Sequence, residues 1–155
     1  MIQSDSSRTT KYAAIIPQIK ALVGSETDRN ANAANVSAAL FEEFDWLWVG
    51  FYFVNDDELV LGPFQGPVAC TRIKKGTGVS GDSWQQKEIV VVDNVDLYPG
   101  HIACSAKSKS EIVVPIIKDG VVIGVLDADS ENLASFNEID SLYLGELCDW
   151  LSTIL

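Results

Sequence analysis

The clearest hairpin in the chain is Ile112-Val-Val-Pro-Ile-Ile117, Lys118-Asp119-Gly120 and Val121-Val-Ile-Gly-Val-Leu126. Two apolar, β-branched runs flank an Asp-Gly turn, the strongest short-range signal for a hairpin. The pattern predicts two neighbouring antiparallel strands.

The segments on either side of this hairpin predict an α+β fold. Upstream we expect helices over 11–23 and 28–44, strands over 46–54, 59–61, 69–73 and 89–92, and a short helix near 76–86. Pro17 should kink the first helix or mark its start, and Gly62-Pro63 should break the second strand. An amphipathic helix from 137 ends the chain. This order lacks βαβ alternation and favours one domain with a mainly antiparallel sheet.

Composition excludes several classes of partner. The chain has 155 residues, of which 47% are hydrophobic, and a formal charge of −11. Nucleic acids and anionic membrane surfaces call for basic patches, so we expect neither as a partner. No apolar run reaches the roughly 18 residues of a transmembrane helix. The first residues do not resemble a signal peptide, and the expected location is the cytoplasm.

The three cysteines differ in their surroundings. Cys148 has the apolar neighbours of a small buried hydrophobe. Cys104 lies in a polar loop beside His101 and Lys107, where positive charge would favour the thiolate. Cys70, at the start of a predicted strand, could be either kind. In a reducing compartment a disulfide would be transient and catalytic rather than structural.

Residues 93–111 form a long stretch without a clean period between two apolar segments. Loops of this length in a compact domain are often lids or binding loops. This one holds the only histidine, His101, together with Cys104. We therefore expect the chain to present Cys104 to a small substrate, with His101 shaping the loop or supporting the thiolate.

Trp48, Gly50 and Tyr52 alternate along a predicted strand, so they share one face. Two aromatics with a gap between them would make a slot for a small apolar group, although aromatics on such a face are more often ordinary core. A glycine inside a strand often marks the close approach of a ligand, which favours the slot.

Asp127 and Asp129 end the second strand of the hairpin and also share a face. Glu111 begins the first strand, and its position depends on the register. A two-residue turn would place Glu111 opposite Ala128 on the other face, whereas a three-residue loop with a bulge would place it opposite Asp127. The sequence leaves both open. Close carboxylates would raise one pKa, giving an acid near neutral pH, and would bind an ammonium group.

Two other ligand chemistries match poorly. The turn over 76–81 fits Gly-x-Gly-x-x-Gly, but it lies outside a βαβ unit and Asp82 follows where a phosphate would bind. A tight turn into a short helix is favoured. His101, Cys104 and Cys70 could be written as metal ligands, but no Cys-x-x-Cys pair supports a metal site.

Six separate motifs resemble one known family. They are Tyr52, Leu61-Gly-Pro-Phe-Gln-Gly66, Ala69-Cys70, Gly100-His-Ile-Ala-Cys104, Ser110-Glu-Ile-Val-Val-Pro115 and Gly124-Val-Leu-Asp-Ala-Asp129. Together they resemble the free methionine-(R)-sulfoxide reductases, which are small single-domain GAF proteins. The resemblance runs from about residue 48 to residue 130, with helices predicted on both sides.

The resemblance implies a GAF-like fold, with a central antiparallel β-sheet flanked by helices, as a single domain over 1–155. The N-terminal helices would cover 11–44, the sheet 46–130 with an active-site loop at 93–111, and the C-terminal helix 137–155. The implied activity is reduction of free L-methionine-(R)-S-oxide, without a bound cofactor and with thioredoxin as external reductant. A homodimer through the helical layer fits the family, although the last helix could equally pack on the sheet.

The family also implies residue roles. Cys104 would attack the sulfoxide sulfur, and Cys70 would resolve the resulting sulfenic acid as a disulfide. Glu111, Asp127 and Asp129 would bind the substrate and protonate its oxygen, and Glu111 and Asp129 are the carboxyl groups expected to be catalytic. The residues that would bind substrate are Trp48, Tyr52, Glu111, Asp127 and Asp129.

One position departs from the family pattern. The family usually has a third cysteine ten residues after Cys70, and here that residue is Ser80. A hydroxyl forms neither a sulfenic acid nor a disulfide, so Cys104 and Cys70 are the expected pair. The alternatives are a GAF-type module that only binds a small ligand, and a degenerate reductase that binds methionine sulfoxide with poor turnover.

Overall fold

The computed structural model describes residues 4–102 and 104–155, so residues 1–3 of the predicted domain and residue 103 of the predicted loop lie outside the described part. Within these ranges the helices are α1 (Asp5–Val23), α2 (Arg29–Glu43), α3 (Gly78–Gln86) and α4 (Glu138–Leu151). The strands are β1 (Trp48–Asn55), β2 (Glu58–Gln65), β3 (Arg72–Lys74), β4 (Val90–Val92), β5 (Ser110–Lys118) and β6 (Val121–Ser130). A 3-10 turn covers Val95–Leu97.

The strands form one six-stranded sheet in the order β3-β2-β1-β6-β5-β4, with antiparallel neighbours. The predicted α+β class with an antiparallel sheet is confirmed. The β5–β6 hairpin and β1 occupy the middle of the sheet. No helix among the described residues is long and apolar enough to cross a membrane.

Alternation along the central strands gives the sheet two different faces. On β1, Phe51 belongs to the core that α1, α2 and α4 cover, whereas Tyr52 belongs to a smaller core that includes Val79 and Trp84 of α3. The smaller core lies on the face that carries Trp48 and Tyr52. The candidate site therefore lies on the α3 face, and the larger helical layer supports the sheet from behind.

Helix α1 begins six residues before its predicted start and has Pro17 inside it, so Pro17 does not mark its start. Ser4 caps the helix, and two of its polar side chains are tied to α4. The Arg8 guanidinium donates to Asp140 Oδ2 at 2.6 Å, and the Tyr12 hydroxyl donates to Asp140 Oδ1 at 2.6 Å. Apolar periodicity missed residues 5–10 because the buried side chain among them is the polar Arg8.

Strand β2 continues through Gly62-Pro63 to Gln65, so the predicted break there is wrong. The β1–β2 register shifts between Gly50 and Tyr52, which leaves Gly62 and Pro63 at a bulge. A bulge tolerates proline because its residues need not pair with the neighbouring strand. The predicted strand 69–73 is also wrong at its start, since β3 begins at Arg72 and Cys70 lies in the loop before it.

The β5–β6 hairpin follows neither register anticipated from the sequence. Its turn has two residues, because Lys118 pairs with Val121, and Asp119 and Gly120 both have positive φ. The register then shifts at Ile116/Ile117, where an extra residue of β6 is accommodated, and Glu111 pairs with Asp129. Directly opposite residues share a face, so Glu111 lies on the same face as both aspartates.

Gly50 makes room for a neighbouring strand rather than for a ligand. A Cβ at this position would lie 2.3 Å from Phe64 Cβ and 2.9 Å from the Pro63 carbonyl oxygen. Phe64 stacks on Trp48 with ring centroids 5.1 Å apart. The expectation that this glycine opens a slot is wrong, because β2 fills the gap.

We expect Gly50→Ala to lower the free energy of unfolding by roughly 1–3 kcal/mol or more, since overpacking a well-packed contact forces the strands apart. Urea denaturation measures this loss. Gly145→Ala is the matched control, because its new Cβ would meet only the end of the Ile89 side chain, at 3.3 Å. Equal stability of Gly50→Ala and the natural protein would contradict this account of the gap.

Candidate active site

A cavity opens on the α3 face of the sheet, between the sheet, the loop over 93–109 and the segment 66–71. Strand β1 contributes two of its four aromatic side chains, and β5 and β6 contribute carboxylates. The remaining walls come mainly from α3 and the two loop segments, with Leu47 before β1 and Ile73 of β3. The lining residues are Leu47, Trp48, Tyr52, Pro67, Ala69, Ile73, Thr77, Gly78, Val79, Ser80, His101, Ile102, Cys104, Ser105, Ser108, Glu111, Asp127 and Asp129.

Three carboxylates meet in this cavity. One carboxylate oxygen from each of Glu111, Asp127 and Asp129 lies within 4.8 Å of the other two. Glu111 and Asp127 are buried, and Asp129 is partly buried. Asp127 Oδ1 has no hydrogen-bond partner among the described residues. A buried acceptor without a partner is unfavourable, so the site suits an ammonium group, or a hard cation, that would supply the missing contact.

Burial raises the pKa of all three carboxyl groups. For Asp127 the negative charges of Asp129 and Glu111 add to the effect and place its pKa well above the usual range. For Asp129 burial and the charge of Glu111 raise the pKa, against the opposing hydrogen bond from Ser108. Burial raises the pKa of Glu111, although the nearby His101 opposes the shift. Because adjacent buried carboxylates repel one another, the cluster can retain a proton for catalysis.

Two polar side chains of the loop reach the carboxylates. His101 Nε2 lies 4.0 Å from Glu111 Oε1, and the Ser108 hydroxyl donates to Asp129 Oδ1 at 3.0 Å. His101 therefore faces Glu111, and its expected support of the thiolate stays a prediction. Ser108 was missed at the sequence level. In the sequence Ser108 is one of three serines shortly before Glu111, with Ser105 and Ser110. Nothing in the sequence distinguishes it from the other two.

Cys70 and Cys104 form a disulfide, with their Cα atoms 5.5 Å apart. This separation is ordinary for a disulfide. Cys104 comes from the loop over 93–109 and lines the cavity, whereas Cys70 belongs to the segment 66–71. The fold therefore brings together the two cysteines that the resemblance paired.

Trp48 and Tyr52 are buried in the cavity wall, with ring centroids 6.0 Å apart. Their polar atoms point to the segment 66–71. The Trp48 indole donates to the Pro67 carbonyl at 3.1 Å, and the Tyr52 hydroxyl donates to the Cys70 carbonyl at 2.8 Å. Burial, followed by the charges of the nearby carboxylates, raises the pKa of Tyr52, so it remains a hydrogen-bond donor at neutral pH.

Ser80 and Cys148 occupy opposite sides of the sheet. Ser80, on α3, is buried and lines the cavity. Cys148 is 1% exposed in the larger core, as predicted, and burial raises the pKa of its thiol. A cysteine in place of Ser80 would face the cavity, whereas Cys148 does not reach it. The cysteines associated with this cavity are therefore Cys104, which lines it, and its disulfide partner Cys70.

The glycine-rich turn opens α3 and is packed too closely for a phosphate loop. A Cβ at Gly81 would lie 2.5 Å from the Lys74 carbonyl oxygen. The Tyr98 hydroxyl, on the loop over 93–109, donates to Asp82 of α3. Burial, together with this bond to Asp82, raises the pKa of Tyr98 to about 12. The turn therefore packs α3 on β3, and α3 in turn anchors the loop of Cys104.

Comparison with known proteins agrees with this fold. Residues 30–155 match the family model described as GAF domain. "GAF domain-containing protein A" of Dictyostelium discoideum is 54% identical over 93% of this chain and 92% of that protein. "Free methionine-R-sulfoxide reductase" of Escherichia coli is 42% identical over 96% of this chain and 91% of that protein.

A solved structure is also closely similar. The free methionine-R-sulfoxide reductase of Neisseria meningitidis, in complex with its substrate, is 56% identical and superposes with a TM-score of 0.93 over 97% of this chain and 90% of that chain. The chain belongs to the GAF domain family, within the group of the free methionine-R-sulfoxide reductases.

Proposed function

We propose that this protein reduces free L-methionine-(R)-S-oxide to methionine, with Cys104 as nucleophile and Cys70 as resolving cysteine. The observation that carries the proposal is the Cys70–Cys104 disulfide at a cavity that also contains three close carboxylates. A thiol nucleophile, a second thiol and a proton donor are the groups that reduction of a sulfoxide requires.

The carboxylates supply the substrate contacts and the proton. The substrate ammonium lies among Glu111, Asp127 and Asp129, where it contacts the oxygen of Asp127 that has no partner within 4–102 and 104–155. The apolar side chain of the substrate lies against Trp48 and Tyr52. Because burial raises their pKa values, Glu111 and Asp129 can hold a proton for the sulfoxide oxygen at neutral pH.

The reaction has two chemical steps on the protein. The Cys104 thiolate attacks the sulfoxide sulfur while the oxygen is protonated, and collapse of the adduct releases methionine and leaves Cys104 as the sulfenic acid. The sulfoxide gains two electrons, which Cys104 loses. Cys70 then attacks the sulfenic sulfur, which forms the disulfide and releases water. Thioredoxin, as a dithiol, reduces this disulfide by exchange and completes the cycle.

The test is methionine formation from free methionine-R-sulfoxide, with dithiothreitol or a complete thioredoxin system as reductant. We expect turnover with both reductants, and little activity on the S epimer or on peptide-bound methionine sulfoxide. Binding of the R epimer without methionine formation would overturn the enzymatic proposal and leave a binding module. Turnover with dithiothreitol but not with thioredoxin would overturn only the assignment of the reductant.

We expect Cys70→Ser to form up to one methionine per protein molecule and then to stop with thioredoxin as reductant. The Cys104 thiol still attacks the substrate, but without Cys70 no disulfide forms for thioredoxin to reduce. Rapid-quench measurement of methionine in the first turnover checks this result. A Cys70→Ser protein with no first turnover would reverse the roles assigned to the two cysteines.

We also propose a cytoplasmic location and a homodimer through the helical layer. A reducing compartment suits an enzyme whose disulfide must be reopened in each cycle. Leu22 on α1 and Leu142 on α4 are 55% and 57% exposed, and a second copy would cover such apolar side chains. Sedimentation velocity distinguishes a dimer from the 16.9 kDa monomer.

A further inference from the structure

The segment 66–71 carries Cys70 and lies outside the strands, although Ala69 within it packs against the smaller core. It lies between the end of β2 and the start of β3, and Val68 within it is 87% exposed. Its backbone is joined to the sheet at one end, where the Leu61 amide donates to the Thr71 carbonyl at 2.9 Å. Over 66–70, the hydrogen bonds found among the described residues come from two side chains of β1.

Those two side chains are Trp48 and Tyr52, the aromatics of the cavity wall. The indole bond reaches Pro67, three residues from the cysteine, and the tyrosine bond reaches the carbonyl of Cys70 itself. The backbone also passes close to the indole, because a Cβ at Gly66 would lie 2.8 Å from Trp48 Cδ1. The two aromatic side chains that form the cavity wall therefore also hold the segment that carries Cys70.

We propose that the Tyr52 hydroxyl is a positioning group for Cys70, which holds the resolving thiol within reach of Cys104 while both cysteines are reduced. In the oxidised protein the disulfide fixes Cys70. Once the disulfide is reduced, that link is lost, and the hydrogen bonds from Tyr52 and Trp48 remain to hold the segment. Because the segment is already fixed before the reaction, no further entropy is lost in bringing the two thiols together. Cys70 therefore has a high effective concentration at Cys104.

This inference deepens the proposed function and rests on it for its biological meaning, but its central test needs no sulfoxide. The protein is equilibrated with mixtures of reduced and oxidised dithiothreitol, and the fractions of dithiol and disulfide are measured after alkylation by intact mass. The exchange is balanced, because each protein disulfide reduced yields one cyclic dithiothreitol disulfide. The equilibrium constant reports how readily Cys70 and Cys104 meet.

We expect Tyr52→Phe to shift this equilibrium toward the dithiol by roughly three- to tenfold, the range that corresponds to loss of one hydrogen bond. Trp48→Phe, which removes the indole donor three residues from Cys70, should shift it less. Tyr12→Phe is the matched control. It also loses a buried tyrosine hydroxyl bond, to Asp140 in the other core, and should lower the melting temperature without moving the thiol equilibrium.

An equilibrium constant for Tyr52→Phe within twofold of the natural protein would overturn the proposal. An equal shift in Tyr12→Phe would also overturn it, because general destabilisation would then explain the effect. With methionine-R-sulfoxide, Tyr52→Phe should trap more sulfenic acid with dimedone for each methionine released than the natural protein does. If the natural protein forms no methionine, the proposed function fails, while the dithiothreitol equilibrium still decides the role of Tyr52.

Discussion

Cys104→Ser is expected to form no methionine above the uncatalysed background, even in a single turnover with dithiothreitol in excess. The serine hydroxyl is about as large as the thiol, but it is not ionised near neutral pH and cannot carry oxygen as a sulfenic acid. The carboxylates would still bind the substrate ammonium. Cys104→Ser should therefore lose the reaction but keep its affinity for the substrate. Calorimetry should give a dissociation constant within a few-fold of that of the natural protein.

Cys148→Ser provides the comparison within the same chain. Cys148 is buried in the core on the other side of the sheet, so its replacement should lower stability while leaving the turnover number of the folded protein nearly unchanged. Methionine formed by Cys104→Ser in the first turnover would contradict the assignment of the nucleophile. The search for the attacking group would then move to Cys70, the other cysteine of the disulfide.

The sequence predicted those features of the fold that depend on local apolar patterns. The β5–β6 hairpin, the four helical regions and the antiparallel sheet follow from β-branched runs, an Asp-Gly turn and helical periodicity. The first six residues of α1 did not, because their buried side chain is the polar Arg8, which is held by Asp140, 132 residues away in the chain. Contacts between distant segments leave no periodic signal.

The position of Glu111 shows where sequence reasoning about the site ends. Turn chemistry correctly allows a two-residue turn at Asp119-Gly120, yet the register at Glu111 depends on one more event, the shift at Ile116/Ile117. A single extra residue moves a whole strand to the opposite face, so the shift decides whether three carboxylates meet. Pro115 and Gly124 lie beside the shift and are residue types that bulges favour, but a strand glycine also marks close approach, so they did not fix the register.

The same limit applies to Gly50 and Cys70. A strand glycine signals close approach, but the sequence did not show that Phe64 of β2, rather than a ligand, comes close. Cys70 was expected at the start of a strand. It lies instead in the segment 66–71, where its carbonyl accepts a hydrogen bond from the Tyr52 hydroxyl. Motifs were enough to predict which residues belong to the site. How these residues lie relative to one another depends on the packing of neighbouring strands, which the sequence did not show.

The carboxylate cluster should lower the free energy of unfolding of the protein, although the same carboxylates bind the substrate. Burial, with the charges of Asp129 and Glu111, raises the pKa of Asp127 above its unfolded value of about 4. For an acid with a raised pKa, the favourable contribution to stability is complete below the unfolded pKa and is lost as pH rises through the folded pKa. The unfavourable effect of Asp127 therefore grows from about pH 4 toward neutral pH and above.

Asp127→Asn is expected to bind substrate poorly and to fold more stably. Loss of a charge-assisted contact to the ammonium should lower kcat/KM roughly a hundredfold. The free energy of unfolding should exceed that of the natural protein by roughly 0.5–2 kcal/mol at pH 8, with a smaller difference near pH 4, because the amide removes the buried charge. Urea denaturation at both pH values measures this, and Asp57→Asn, an exposed residue of the β1–β2 turn, controls for net charge. A variant that is less stable than the natural protein at pH 8 would show that Asp127 is paired in the folded state, since only a paired carboxylate stabilises the fold when it is charged.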